Sequence, residues 1–169
     1  MEKRYYLAYG SNLNVDQMDW RCPNAIPLGK AYIEDYELLF KGSKTGSYLT
    51  IEPQKGGRVP VVVWLVTEWD EEALDRYEGF PRFYYKKHLS IAYTAFDSEA
   101  RITVDAFVYI MHEDRPIGIP TLRYVRDCLD GYDSFGIDET YLFDAYERSE
   151  KGVKKNGIKN KKNLSFVWQ

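Results

Sequence analysis

Cysteine and histidine are scarce in this chain of 169 residues, with two of each. Cys22 and Cys128 form no Cys-x-x-Cys pair, which excludes a thiolate zinc site and a disulfide framework, and both read as reduced thiols in or near a core. His88 and His112 fall in or beside separate expected strands without a metal-binding spacing, so no metal is expected and no cofactor is implied. No apolar run approaches the ~20 residues that span a bilayer. The charged start Met1-Glu2-Lys3-Arg4 is not followed by the apolar stretch of a secretory signal, which makes cytoplasmic residence the default. An excess of positive charge is also missing: 23 basic and 26 acidic residues give a net of −3. Nothing in that balance attracts nucleic acid or an anionic membrane in general.

What is abundant is aromatic: 15 Tyr, 8 Phe and 4 Trp make up 16% of the chain. Rings of this kind supply large buried area with a polar tip, and they suit a pocket wall as well as a packed core. The length fits one domain. Charge divides it unevenly, because residues 151–169 hold six lysines and no acid, leaving 17 basic and 26 acidic groups, a net of −9, in residues 1–150. The expected organisation is a domain over 1–150 and a Lys-rich tail over 151–169. Residues 151–162 have almost no apolar side chain and read as mobile. Leu164, Phe166, Val167 and Trp168 then form an apolar end suited to adding an edge strand, packing back on the domain or docking a partner.

Residues 4–9 are aromatic and apolar and stop at Gly10-Ser11-Asn12, which predicts a strand entering a tight turn. A helix follows, with Asn14 as cap, Gln17 at its third position and Leu13 placed to staple onto Met18, ending near Cys22-Pro23. Between residues 25 and 66 the apolar residues come in four short runs, 26–33, 36–40, 48–51 and 59–66, which describe strands of an antiparallel barrel or sandwich. The unbroken run 61–66 fits a strand covered on both faces. Thr67 and Asp70 then cap a short helix whose apolar face is Trp69, Ala73, Leu74 and Tyr77, terminated by Gly79. Strands are expected over 83–96 and 102–111 with a turn at Asp97-Ser98. Helices are expected over 121–129, ended by Gly131, and 139–148, opened by Asp138.

Two segments carry residue types beyond what packing requires. In Tyr9-Gly10-Ser11-Asn12-Leu13, consecutive backbone N–H groups and the positive end of the next helix make a site for a carboxylate or a developing oxyanion. In the second segment, Leu74-Asp75-Arg76-Tyr77-Glu78-Gly79, Glu78 ends a helix among aromatic residues. Desolvation and the helix dipole both disfavour its ionised form, so its pKa should rise. A solvated helix-end glutamate is the other reading of that segment.

Together, Tyr-Gly-Ser-Asn-Leu at the end of the first strand and Leu-Asp-x-x-Glu-Gly about 65 residues later resemble the γ-glutamylcyclotransferase-like family. The resemblance runs from about residue 5 to residue 148. It implies an α+β fold, a small mostly antiparallel β-barrel with flanking helices. It also implies an enzyme that cyclises a γ-glutamyl group to 5-oxoproline and releases an amine or amino acid by intramolecular aminolysis. Carried over by motif, Glu78 is the catalytic acid/base, and Tyr9, Gly10, Ser11, Asn12 and Leu13 hold the γ-glutamyl moiety. Tyr84 matches the aromatic position after the glutamate, with Tyr85 as its rival, and Tyr124, four residues after Pro120, matches the tyrosine of the C-terminal helix. Where some relatives have Gly-Ala and Gly-Leu-Pro steps, this chain departs with Gly131-Tyr132 and Gly136-Ile137-Asp138.

The chemistry suits these residues. The substrate's own α-amine attacks its γ-carbonyl, so only a folded near-attack geometry is required and no external nucleophile. That amine has a reference pKa of about 8, whereas an ordinary glutamate near 4.3 is roughly four units too weak a base. Burial narrows the gap, and the same carboxyl can hand the proton to the departing nitrogen. Backbone N–H groups of the Gly10-Ser11-Asn12 turn fit either the oxyanion or the α-carboxylate. The expected partner is a small γ-glutamyl compound, with a homodimer left open. A non-catalytic γ-glutamyl-binding barrel and a nucleic-acid-binding barrel are the alternatives, and net −9 in the body weighs against the second.

Overall fold

A computed structural model describes residues 2–43 and 46–166, with side chains through Gly157. Five strands close into a barrel in the order β1 (Arg4–Ala8), β3 (Gly46–Val66), β2 (Ile26–Ser43), β4 (Tyr84–Ala95) and β5 (Arg101–Met111). All neighbours are antiparallel except β1 and β5, which run parallel at Tyr5↔Ala106 and Tyr6↔Phe107. The fold is thus α+β, a mostly antiparallel barrel with flanking helices α1 (Val15–Arg21), α2 (Glu68–Glu78), α3 (Leu122–Ser134) and α4 (Thr140–Phe166). No helix among the described residues is long and apolar enough to cross a membrane.

The four short runs between residues 25 and 66 form two long strands, not four. Residues 26–33 and 36–40 are halves of β2, and 48–51 and 59–66 are halves of β3. The polar stretches between the halves stay inside the ladder because pairing slips between Glu34 and Tyr36. At that slip Asp35 adopts φ 60° and its Oδ1 accepts from the N–H of Gly56 (φ 81°) at 2.9 Å. An irregularity of this kind bends a strand without ending it. Val61, Val62, Val63 and Trp64 are buried one after another, as a strand covered on both faces requires.

Local signals set the helix starts. Asn14 Oδ1 accepts from the N–H of Gln17 at 3.1 Å, and Leu13 and Met18 on either side of that cap are fully buried. In α2, Thr67 and Asp70 close a reciprocal capping box and Gly79 ends the helix at φ 63°. The buried face of α2 is turned from the expected one: Leu74 is fully buried as expected, but Trp69 is 74% exposed and Asp70 faces inward in its place. Asp70 is carried in by its cap and by the Cys22 thiol, which reaches its carbonyl at 3.6 Å.

Two helices also outrun their expected ends. Gly131 does not stop α3; it lies within it, at a point where an added Cβ would stand 2.4 Å from the Leu13 carbonyl carbon and 2.7 Å from the Asn14 nitrogen. It is there for close approach to the turn after β1. α4 continues past Arg148 to Phe166. It is fastened to β2 by Ser149, whose Oγ accepts from the N–H of Phe40 at 3.0 Å, and by Arg148, which donates to the Leu38 carbonyl at 2.9 Å. Val167 and Trp168 of the apolar end lie outside the described residues, as do the side chains of Leu164 and Phe166.

Candidate active site

The chain leaves β1 through Tyr9 and Gly10 into a single 3-10 turn, Ser11–Leu13. The internal bonds of the turn run from Leu13 N to Gly10 O and from Asn14 N to Ser11 O, both at 3.0 Å. The N–H groups of Gly10, Ser11 and Asn12 are therefore left without a partner within the turn, beside a cavity of about 320 Å³. Across that cavity, the last turn of α2 presents Glu78. Asn12 Nδ2 stands 3.3 Å from Glu78 Oε1, so two segments 66 residues apart in sequence meet in one place.

Glu78 is partly buried, and its carboxyl is pushed up to about 8 by loss of solvation, against the pull of the Arg21 guanidinium. Desolvation disfavours the charged form, and among the described residues Arg21 is the one charge set against it. Around the carboxyl stand phenols: Tyr6, Tyr9, Tyr77, Tyr84, Tyr109 and Tyr124 all line the cavity. Burial raises each of them above its ordinary value, and the charge of Glu78 adds to the rise. They therefore remain neutral donors and acceptors near neutrality.

Their hydroxyls are committed to fixed partners. Tyr9 donates to the Tyr109 carbonyl at 2.6 Å, Tyr84 donates to the Leu49 carbonyl at 2.8 Å, and Tyr124 accepts from the Leu49 N–H at 3.1 Å. Tyr109 donates to Asp75 Oδ1 at 2.6 Å, and Tyr77 shares a 2.9 Å bond with Ser11 Oγ. A wall of rings held at both ends keeps its shape when a ligand enters, which limits the ordering cost of binding.

Seven of the eight residues singled out from the sequence meet at this cavity: Glu78, Tyr9, Gly10, Ser11, Asn12, Tyr84 and Tyr124. Leu13 does not; it is fully buried beneath the turn, because as the third residue of the 3-10 turn it points into the core against Gly131. Between the rival tyrosines, Tyr84 faces the cavity and Tyr85 lies outside it, bonded to Glu113 and against the His112 ring. Adjacent residues of a strand point to opposite faces, so only one of the two could enter. Tyr6, Tyr48, Tyr77, Phe83, Tyr109 and Arg21 are additions from the structure. Tyr77 had a signal in its place beside Glu78; the strand tyrosines had none that separates a pocket wall from a core.

A larger cleft of about 920 Å³ lies between residues 30–36 of β2 and 87–94 of β4, but it contains neither the turn nor Glu78. Cys22 and Cys128 are buried, with thiols pushed up to about 12 by desolvation, which disfavours the nucleophilic thiolate. Among the described residues, no three His, Cys, Asp or Glu side chains are grouped as metal ligands.

Comparison with known proteins agrees in sequence and in shape. The family model described as gamma-glutamyl cyclotransferase, AIG2-like, matches residues 6–126. The gamma-glutamylcyclotransferase of Bos taurus is 28% identical over 169 aligned positions, covering 95% of this chain and 84% of the bovine one. A solved gamma-glutamyl cyclotransferase superposes with a TM-score of 0.68 at 26% identity, over 88% of this chain and 87% of that one. An uncharacterized Homo sapiens protein superposes with a TM-score of 0.71 at 26% identity, over 89% and 88%. Sequence match and barrel together place this chain in the gamma-glutamyl cyclotransferase, AIG2-like family.

Proposed function

We infer that the protein is an enzyme that converts a γ-glutamyl compound to 5-oxoproline, with Glu78 carrying the proton. The observation that carries this reading is the meeting of a carboxyl raised to about 8 with a turn whose first N–H groups have no partner within it, in one cavity. A reference α-amine titrates at about 8 as well, so carboxyl and amine are matched in a way an ordinary glutamate is not. Glu78 takes the proton of the α-amine as its nitrogen attacks the γ-carbonyl. A carbon–nitrogen bond forms to close the five-membered ring, and the bond to the leaving nitrogen breaks as Glu78 returns the proton there. The chain needs no covalent intermediate, since the nucleophile and the carbonyl belong to one molecule.

The turn supplies what the reaction needs besides a base. N–H groups of Gly10, Ser11 and Asn12 suit an oxyanion that develops at the γ-carbonyl, where loss of one donor typically raises a barrier by about 3 kcal/mol. A γ-glutamyl group is small and polar, which fits a cavity lined by a polar turn, a carboxyl and phenol hydroxyls. The test is a panel of γ-glutamyl compounds differing in the amine they release, assayed for the lactam. Release of 5-oxoproline with the free amine in equal amounts from at least one of them is the expected result. Absence of lactam from the whole panel, with a folded protein, would overturn the reading.

A further inference from the structure

Arg21, the last residue of α1, does not line the cavity, yet it touches two of the residues that do, Asn12 and Tyr77. Its guanidinium donates to Asn12 Oδ1 and to Gln17 Oε1, the latter at 3.4 Å, and its Cζ lies 3.4 Å from the centre of the Tyr77 ring. Tyr77 in turn bonds Ser11, and its neighbour is Glu78. One planar cation therefore ties the turn after β1 to the end of α2.

The contact with Asn12 decides which way its carboxamide points. Arginine carries donors only, so an amide beside it must offer its oxygen. With Oδ1 held there, Nδ2 is aimed at Tyr6 Oη, 2.9 Å away, and at Glu78 Oε1, 3.3 Å away. Turned over, the amide would set its NH₂ against the guanidinium, a clash of donors, and its oxygen against Glu78 Oε1, a second clash once the carboxyl gives up its proton. We propose that Arg21 is a positioning residue for proton transfer, which locks the Asn12 amide as a donor to Glu78 and joins the turn to the helix that carries the carboxyl. The inference rests on the reading of Glu78 as proton carrier.

The charge of Arg21 acts in the same direction as its geometry, favouring the carboxylate that the amide donates to. The other groups facing Glu78 are neutral phenols: Tyr6 and Tyr9 from β1 and its end, Tyr77 from α2, Tyr84 from β4, Tyr109 from β5 and Tyr124 from α3. Asp75 lies behind Tyr109 and is paired with Lys86 at 2.7 Å. None of these supplies a positive charge in place of Arg21.

The experiment compares wild type, Arg21→Met and Arg21→Lys by two readouts: the acid limb of kcat against pH, and the titration of the Glu78 carboxyl by ¹³C NMR in the ligand-free protein. Loss of one nearby opposite charge moves a carboxyl by about one unit or more. Arg21→Met should raise the Glu78 midpoint by that amount and lower kcat at pH 7 about tenfold or more, with a smaller change in KM. Arg21→Lys restores a charge but not the fork, so its midpoint should return toward wild type while kcat stays reduced. An unmoved midpoint in Arg21→Met overturns the proposal, and so does a raised midpoint with unchanged kcat and acid limb. If Arg21→Met does not fold, Arg21→Lys decides by kcat: a value equal to wild type overturns the fork's role. The NMR titration needs no turnover, so a failure of the cyclisation reading would leave that arm interpretable.

Discussion

Glu78 holds its proton where an ordinary glutamate has lost it, and this has a consequence for stability as well as for chemistry. Its carboxyl titrates at about 8 in the folded chain against an ordinary 4.5, so between those values the folded state binds a proton that the unfolded chain has released. By linkage, stability then falls as pH rises across that window, and the contribution present below the lower value is gone above the upper one. Glu78→Gln removes this dependence. Its unfolding midpoint should equal or exceed that of wild type, with a gap that widens from ~pH 5 to ~pH 8 in thermal melts. A constant gap across that range would show that the carboxyl is not buried as described. The direction of this shift was readable from the sequence, since a helix-end glutamate among aromatic residues points to desolvation. The roles of Tyr6, Tyr109 and Arg21 were not readable. A strand tyrosine looks the same in sequence whether it walls a cavity or fills a core, and the reach of Arg21 to Asn12 depends on how α1 folds back.

At the scale of elements, the site depends on how closely α3 approaches the turn after β1. Gly131 makes that approach, and its sequence context suggested a helix end instead, because glycine is the usual terminator and the contact that explains it is with a residue far away in sequence. Helix propensity alone makes Gly131→Ala favourable by about 1 kcal/mol. The new methyl group would meet backbone at 2.4 Å, and overpacking of this kind costs typically about 1–3 kcal/mol. Backbone cannot swing aside as a side chain can, so Gly131→Ala is expected to lower the unfolding midpoint and to raise KM by displacing the turn. A more stable variant with unchanged KM would mean that α3 does not brace the turn. The same limit of sequence reading appears in β2 and β3. Period and turn residues located their apolar halves, but Asp35 and Gly56 form a bulge only because they face each other across the ladder, which a single strand's sequence cannot reveal.

The whole molecule brings the site together from nearly every part of the chain. β1 and its turn, β3, α2, β4, β5 and α3 each contribute to the cavity, so it exists only in the folded barrel. A ligand bound there should stabilise the fold as a unit, by about 2.7 kcal/mol at a concentration of 100 times Kd. This separates binding from chemistry in one variant, because Glu78→Gln keeps the shape of the side chain and loses the exchangeable carboxyl proton. The direct test of the account is 5-oxoproline release by Glu78→Gln, measured with a γ-glutamyl compound that the wild type turns over and that still raises the variant's unfolding midpoint. The account predicts that the variant binds the compound and releases lactam at least a hundredfold more slowly, at the low end of what a general acid–base contributes, about 10²- to 10⁴-fold. Lactam release at the wild-type rate would contradict it.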